Sequence, residues 1–246
     1  MSFDWAGDGT TAKGVTERRF DVERSARRIP GLLWTPEATP ASALVLLGHG
    51  GASHKRQGYV VALARRLVRH HGFAAAAIDG PVHGERRADP ESAIGTEFWD
   101  LWRNDPTMTD EMVADWRATL DALQEPAVLG NTPVGWWGIS MGTILGLPVV
   151  AAEPRISVAV LGLMGIVGPT KERLARDAAA AQCPVLFLVQ WDDELFARVH
   201  AFELFGALAS SDKRLHANPG LHQDVPAEEF DASEEFLART LAPSRR

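Results

Sequence analysis

Apolar and polar positions follow two rhythms along this chain. "RRFDVERSARRIPGLLWTPE", residues 18–37, alternates the two kinds of residue around a central turn, as an antiparallel strand pair does. "ALVLLGHGG", residues 43–51, is an unbroken apolar run closed by glycine, the pattern of a strand buried on both faces. From there strand-like and helix-like segments take turns. Helical periodicity predicts a helix over 58–71, and the strand "FAAAAID" follows it. A helix over 109–129, the strand "VGWWGIS" and a helix starting near Met141 come next. "ISVAVLGLMG", "PVLFLVQ" and "KRLHANPG" predict three more strands, separated by helices near 170–181 and 198–209. An amphipathic helix over 227–241 closes the chain.

Buried strands joined by helical crossovers predict an α/β fold, a mostly parallel sheet of about eight strands covered by helices on both faces. At 246 residues and 46% hydrophobic content the chain reads as one domain, 1–246. The small and polar first fifteen positions carry no pattern and are expected to be flexible. Residues 84–108, between two predicted elements, are expected to form a short cap insertion.

Composition narrows the function. The net charge is −7, with basic residues scattered among acids, so nothing resembles the basic footprint of a nucleic-acid binder. A single cysteine, Cys183, rules out an intrachain disulfide and points to a reducing, cytoplasmic setting. No segment approaches the roughly 18 apolar residues of a membrane span, and no signal-peptide pattern opens the chain. Phosphate-binding loops, paired cysteines and the H-E-x-x-H pattern are absent, so no cofactor and no metal are expected. The expected partner is a small molecule, with neither nucleic acid nor membrane involved; a homodimer is the assembly left open.

Ligands of parallel sheets bind at the carboxyl ends of the strands. Here those ends read "GHGG", "DGPVHGER", "GISMG", "LMG", "QWDDE" and "PGLHQD", and they present a serine, adjacent acids and a histidine in chain order. Gly138-Ile139-Ser140-Met141-Gly142 fits G-x-S-x-G, which places a serine on a strained turn between strand and helix. Glycine two positions before and after the serine removes Cβ atoms that would meet the strand and the departing helix. The plainer reading is a glycine-rich turn with Ser140 as a helix N-cap.

A serine hydroxyl needs a base, and the base an orienting acid. His222, on the loop after "KRLHA", is the candidate base, whereas His216 lies within the strand and reads as structural. Asp193 is the preferred acid, with Asp192 as its alternative and Glu194 third. The N–H of Met141 is a candidate oxyanion donor, and the second is Gly51 or Ala52 from the glycine run.

These residues resemble the alpha/beta-hydrolase superfamily, within it the dienelactone-hydrolase-like and small carboxylesterase branch. The resemblance runs from about Arg18 to Leu241 and rests on "LLGHGG", "AAIDGPVHGER", "GISMG", "VLFLVQWDDELF" and "NPGLHQDVP". It implies the alpha/beta-hydrolase fold and a triad of Ser140, Asp193 and His222. Gln190 stands where many relatives have glycine, and the nucleophile is serine where dienelactone hydrolases proper often use cysteine. Cys183 reads as a small buried filler.

Phe98, Trp99 and Trp102 recur at helical spacing inside the cap insertion and are expected to line a substrate pocket or to pin the cap to the core. Residues 165–182 could add to the rim, and Met164 and Trp191, at strand ends, are candidate pocket walls. His83 and Arg86 read either as partners for a substrate carboxylate or as a loop-stabilising network. Together these features predict a serine hydrolase cleaving carboxylic ester or thioester bonds of a small, largely apolar substrate. The alternatives on the same scaffold are an acyltransferase, a lyase, cofactor-free peroxidase-like chemistry, or a non-enzymatic small-molecule receptor.

Overall fold

The computed structural model describes residues 2–89 and 96–242. Ten strands form one sheet: β1 (Ser2–Trp5), β2 (Thr10–Ala12), β3 (Val15–Arg24), β4 (Arg27–Pro36), β5 (Leu44–Gly48), β6 (Ala74–Ile78), β7 (Val134–Gly138), β8 (Ile156–Gly162), β9 (Val185–Gln190) and β10 (Lys213–Asn218). Their order is β1-β3-β4-β6-β5-β7-β8-β9-β10, with β2 also paired to β3. Pairing is antiparallel from β1 to β6 and parallel from β6 through β10.

The strand count exceeds the eight expected because the first residues, expected to be flexible, contain β1 and β2. Both are polar or half-exposed and show no buried face of their own. Their order comes from antiparallel pairing to β3, a long-range contact that local patterning does not record.

Among the described residues eight α-helices connect and cover the strands: α1 (Gly58–His71), α2 (Thr96–Asn104), α3 (Met108–Leu123), α4 (Met141–Ile144), α5 (Gly146–Ala152), α6 (Lys171–Ala180), α7 (Arg198–Ala207) and α8 (Ala227–Leu241). The helix predicted to reach residue 129 stops at Leu123, just ahead of Glu125-Pro126, because the residue before a proline is pushed out of the α region. The helix predicted from Met141 is two short helices, with Gly146 at the break where a Cβ would overlap the Trp136 indole.

Strand residues alternate between two cores. Leu44, Leu46, Trp136, Leu161 and Phe187 face one cluster, whereas Val45, Leu47, Trp137, Val160 and Leu186 face the other. The first lies under α3 and its neighbours α5, α6 and α7, and the second under α1 and α8. Trp136 meets Trp116 of α3 edge-on at 5.0 Å, and Trp137 meets Phe230 of α8 at 5.8 Å. The two tryptophans therefore anchor opposite layers, as the period of two requires. Each such fully buried side chain contributes about 1.5–3 kcal/mol relative to exposure.

The chain runs from β5 outward to β6, then returns across β5 to β7. The strand order thus reverses between β5 and β7, a topological switch point of the kind at which open parallel sheets bind ligands. Register places Gly48 beside Gly138, so the glycine run after β5 and the serine turn after β7 emerge side by side. Among the described residues no helix is long and apolar enough to cross a membrane.

Candidate active site

Ser140 follows β7 and precedes α4 with φ 57° and ψ −121°, a conformation that L-residues reach only under strain. The flanking glycines make the turn sterically possible. A Cβ on Gly142 would lie 2.6 Å from the Gly48 carbonyl oxygen, and one on Gly138 would lie 2.7 Å from the Gly142 oxygen. The first contact can be relieved only by moving α4 away from β5, and the second only by opening the turn between β7 and α4. The turn is also tied to β8: the Ser140 N–H donates to the Gly162 carbonyl at 2.9 Å, and the Thr143 hydroxyl accepts from the Gly162 N–H at 2.8 Å. Thr143 carries no motif signal, and its role emerges only once β7 and β8 are adjacent.

His222 lies on the loop after β10, 82 residues from Ser140, with Nε2 2.8 Å from the serine Oγ. Its Nδ1 is 2.8 Å from Asp193 Oδ2 on the loop after β9. The other Asp193 oxygen accepts the N–H groups of Leu195 (2.9 Å) and Phe196 (2.8 Å), which fixes the carboxylate plane. Burial alone would raise the Asp193 carboxyl; the His222 hydrogen bond and these backbone donors outweigh it and hold the group below its ordinary range.

The other two acids of the loop are placed differently. Asp192 is exposed, and its backbone N–H donates to the Gly220 carbonyl. Glu194 accepts the His222 backbone N–H at 2.8 Å and so clamps the histidine loop. Gln190, the residue that departs from the glycine of many relatives, is buried at the end of β9. Its amide donates toward the Leu221 and Pro219 carbonyls at 3.2 and 3.4 Å, tying the acid strand to the histidine loop. His216 pairs with Glu229 of α8, away from the serine.

On the other side of Ser140 lies the loop after β5. Gly51 is adjacent to Met141, since a Cβ on Gly51 would stand 3.8 Å from the Met141 Cβ. Met141 opens α4, where backbone N–H groups have no intrahelical acceptor. The Gly50 N–H is already engaged by the Tyr59 hydroxyl at 2.7 Å, which leaves those of Gly51 and Ala52 as the candidates from this loop.

An ionic cluster centred on the buried Lys55–Asp79 pair staples the loop to its neighbour after β6. Lys55 Nζ bridges Asp79 (2.5 Å) and Glu85 (2.8 Å), and Asp79 also accepts the N–H groups of Lys55 and Glu85. Burial opposes ionisation of Glu85, but Lys55, Arg28 and Arg19 overcome it and lower the carboxyl to about 2. Arg86 joins the same network through the Asp79 carbonyl and the Asp115 carboxylate. This places Arg86 in the loop-stabilising role.

The cap expected over residues 84–108 contributes a single 3₁₀ turn (Gly84–Arg86) and α2; residues 90–95 of that range lie outside the described residues. Phe98 and Trp102 are buried and mutually stacked at 6.3 Å, and the Trp102 indole N–H donates to Thr170 at 2.9 Å. Both pin α2 to the core and to the segment beginning at 165. Trp99 is half-buried and packs on Phe196 at 6.4 Å, and Phe196 meets the His222 ring edge-on at 5.5 Å. Of the three cap aromatics, Trp99 is thus the one that reaches, through Phe196, toward His222.

Met164, expected as a pocket wall, is fully buried in the core under α3, because the chain turns inward after β8 at Gly162 and Leu163. Trp191 lies on an open rim rather than in an enclosed wall. Its ring is 46% exposed, covered by the Arg198 guanidinium at 4.5 Å, and stands near Phe202. Cys183 is half-buried, and burial pushes its thiol up to about 11, far from a nucleophile's range. Among the described residues no cluster of His, Cys, Asp or Glu is arranged to hold a metal ion.

The fold recurs in proteins of known structure. A cold-adapted esterase from an Arctic intertidal metagenomic library, in a complex with PEG, is 43% identical over 97% of this chain and 99% of its own, with a TM-score of 0.88. Acetyl xylan esterase 1 from Thermoanaerobacterium sp. (14% identity, 97% of this chain, 87% of its own, TM-score 0.73) shares the fold. So does an acetyl xylan esterase from Paenibacillus sp. R4 (17% identity, 98% of this chain, 88% of its own, TM-score 0.72). The uncharacterized Escherichia coli protein YnbC is 35% identical over 78 residues, a match spanning 30% of this chain and 13% of YnbC. No family model matches the sequence. With the strand order, the serine turn and a full-length relative at this identity in agreement, the chain belongs to the alpha/beta-hydrolase superfamily, among relatives that are esterases.

Proposed function

We propose that this protein is a serine hydrolase that cleaves carboxylic ester or thioester bonds of a small, largely apolar substrate through an acyl-enzyme. The carrying observation is the unbroken hydrogen-bond chain Asp193–His222–Ser140, with both links at 2.8 Å. Ser140 Oγ attacks the substrate carbonyl carbon while His222 Nε2 takes its proton. The tetrahedral oxyanion is received by the N–H groups of Met141 and of Gly51 or Ala52. His222 then protonates the departing alkoxide or thiolate, and a water repeats the sequence to release the acid. Asp193 holds the imidazole in the tautomer with Nδ1–H and stabilises its cation.

The full-length esterase relative supports esters as the substrate class. The apolar pair of Trp99 and Phe196, the latter against the His222 ring, supports an apolar substrate. The test is a screen of ester, thioester, lactone and amide substrates on wild type beside Ser140→Ala. Ester or thioester turnover by wild type and a loss of at least about 10³-fold in the variant are expected. Ester hydrolysis surviving in Ser140→Ala overturns the proposal, and so does acyl transfer to an alcohol in preference to water.

A further inference from the structure

Two buried histidines flank the glycine run after β5, and their partners differ in a telling way. His49 accepts the Gly80 N–H at Nε2 (2.8 Å) and lies 2.9 Å from the Gly50 carbonyl through Nδ1. One acceptor and one donor make a neutral ring, in keeping with burial and the nearby His83, which lower it to about 3. His83, 1% exposed, instead directs both nitrogens at carbonyl oxygens: Nε2 at Gly51 (2.6 Å) and Nδ1 at Pro81 (2.7 Å). A carbonyl oxygen only accepts, so the shorter of the two contacts, at Gly51, takes an N–H on Nε2.

The two peptides so held are the ones that present the candidate oxyanion donors. In a trans peptide the C=O and N–H point in opposite directions. The bond from His49 to the Gly50 carbonyl therefore aims the Gly51 N–H, and the bond from His83 to the Gly51 carbonyl aims the Ala52 N–H. A Cβ on Gly51 would meet Met141 only at ordinary contact distance, so packing does not fix this glycine and its backbone is free to rotate. Side chains must supply the missing constraint.

We propose that His83 is a positioning residue for ester hydrolysis, donating through Nε2 to the Gly51 carbonyl and so locking the Gly51–Ala52 peptide in the orientation that binds the oxyanion. This rests on the hydrolase reading above. Charged and titratable groups around it are His49 at 5.1 Å between rings, Asp79 and Glu85 with their partner Lys55, and Arg86 on the same loop. The ring is sealed by Phe98 of α2 at 5.5 Å.

The experiment compares wild type, His83→Leu and His83→Gln, with kcat counted per Ser140 titrated by a fluorophosphonate and with inhibition by a trifluoromethyl ketone. His83→Leu should lower kcat by about tenfold to a hundredfold, with KM within about threefold and the ketone weakened by a similar factor to kcat. His83→Gln, whose amide has two N–H donors, should recover most of the loss. A kcat per titrated site within twofold of wild type in the leucine variant, or a loss confined to KM, overturns the role. If His83→Leu does not fold, nitrogen-15 NMR of the wild-type His83 ring decides. A proton on the ring nitrogen that faces the Gly51 carbonyl is expected, and a bare nitrogen there overturns the positioning bond. That spectrum needs no substrate, so it separates failure of this inference from failure of the hydrolase reading, which wild type inactive on every ester and thioester would show.

Discussion

The two sides of the candidate site are built by different physics. Ser140 and its neighbours are placed by exclusion: glycine contacts with backbone, a strained φ, and strands β5, β7 and β8 buried in the middle of the sheet. His222 and Asp193 stand at the edge formed by β9 and β10, on loops held by directional bonds from Gln190, Glu194 and the Leu195 and Phe196 amides. A nucleophile fixed by sterics tolerates almost no side-chain addition. An acid and base fixed by hydrogen bonds tolerate volume changes but not the loss of a donor or acceptor.

The largest effect expected from this contrast separates activity from stability at one residue. Ser140→Gly should abolish ester hydrolysis yet stabilise the fold by about 1 kcal/mol, because glycine relieves the positive φ; denaturant unfolding beside kinetics reads both. On the other side of the site, Asp193→Asn should lower kcat by about 10²–10⁴-fold, whereas exposed Asp192→Asn should stay within about twofold. Equal losses in the two variants would break the assignment of the acid.

Smaller effects sharpen the steric half. Gly142→Ala should cost about 1–3 kcal/mol of stability, since its Cβ meets the Gly48 carbonyl, while Gly51→Ala should leave the unfolding midpoint nearly unchanged because its Cβ finds ordinary contact distance. The smallest effect is a pH dependence. Asp193 is held below its unfolded value, so its ionisation stabilises the fold above the unfolded carboxyl pKa of about 3.9 and that contribution is lost as pH falls through the folded value. The stability gap between wild type and Asp193→Asn should therefore shrink below about pH 4; a gap that widens on acidification contradicts it.

The legible part of the sequence follows the same division. The parallel core was readable because β5, β6, β8 and β9 are short apolar runs, and the serine turn because steric exclusion leaves glycines at set spacing. Asp193 and His222 could be named because each sits just past a strand end, though two adjacent acids left the choice to geometry. Thr143, Gln190, Glu194 and the contacts of His83 were not readable, since each bonds to a segment distant in sequence that no local pattern records. Polar β1 and β2 were hidden for the same reason, and Met164 and Trp191 show that a strand end does not reveal which way the next side chain turns.

The central claim is that Ser140 is the nucleophile of this chain. Its most direct test is intact and peptide mass spectrometry after treatment with a fluorophosphonate, with residual ester hydrolysis followed in parallel. A single adduct on the peptide containing Ser140, accumulating in proportion to the activity lost, is the predicted result. Full inactivation with the adduct elsewhere, or full activity with Ser140 modified, would contradict it.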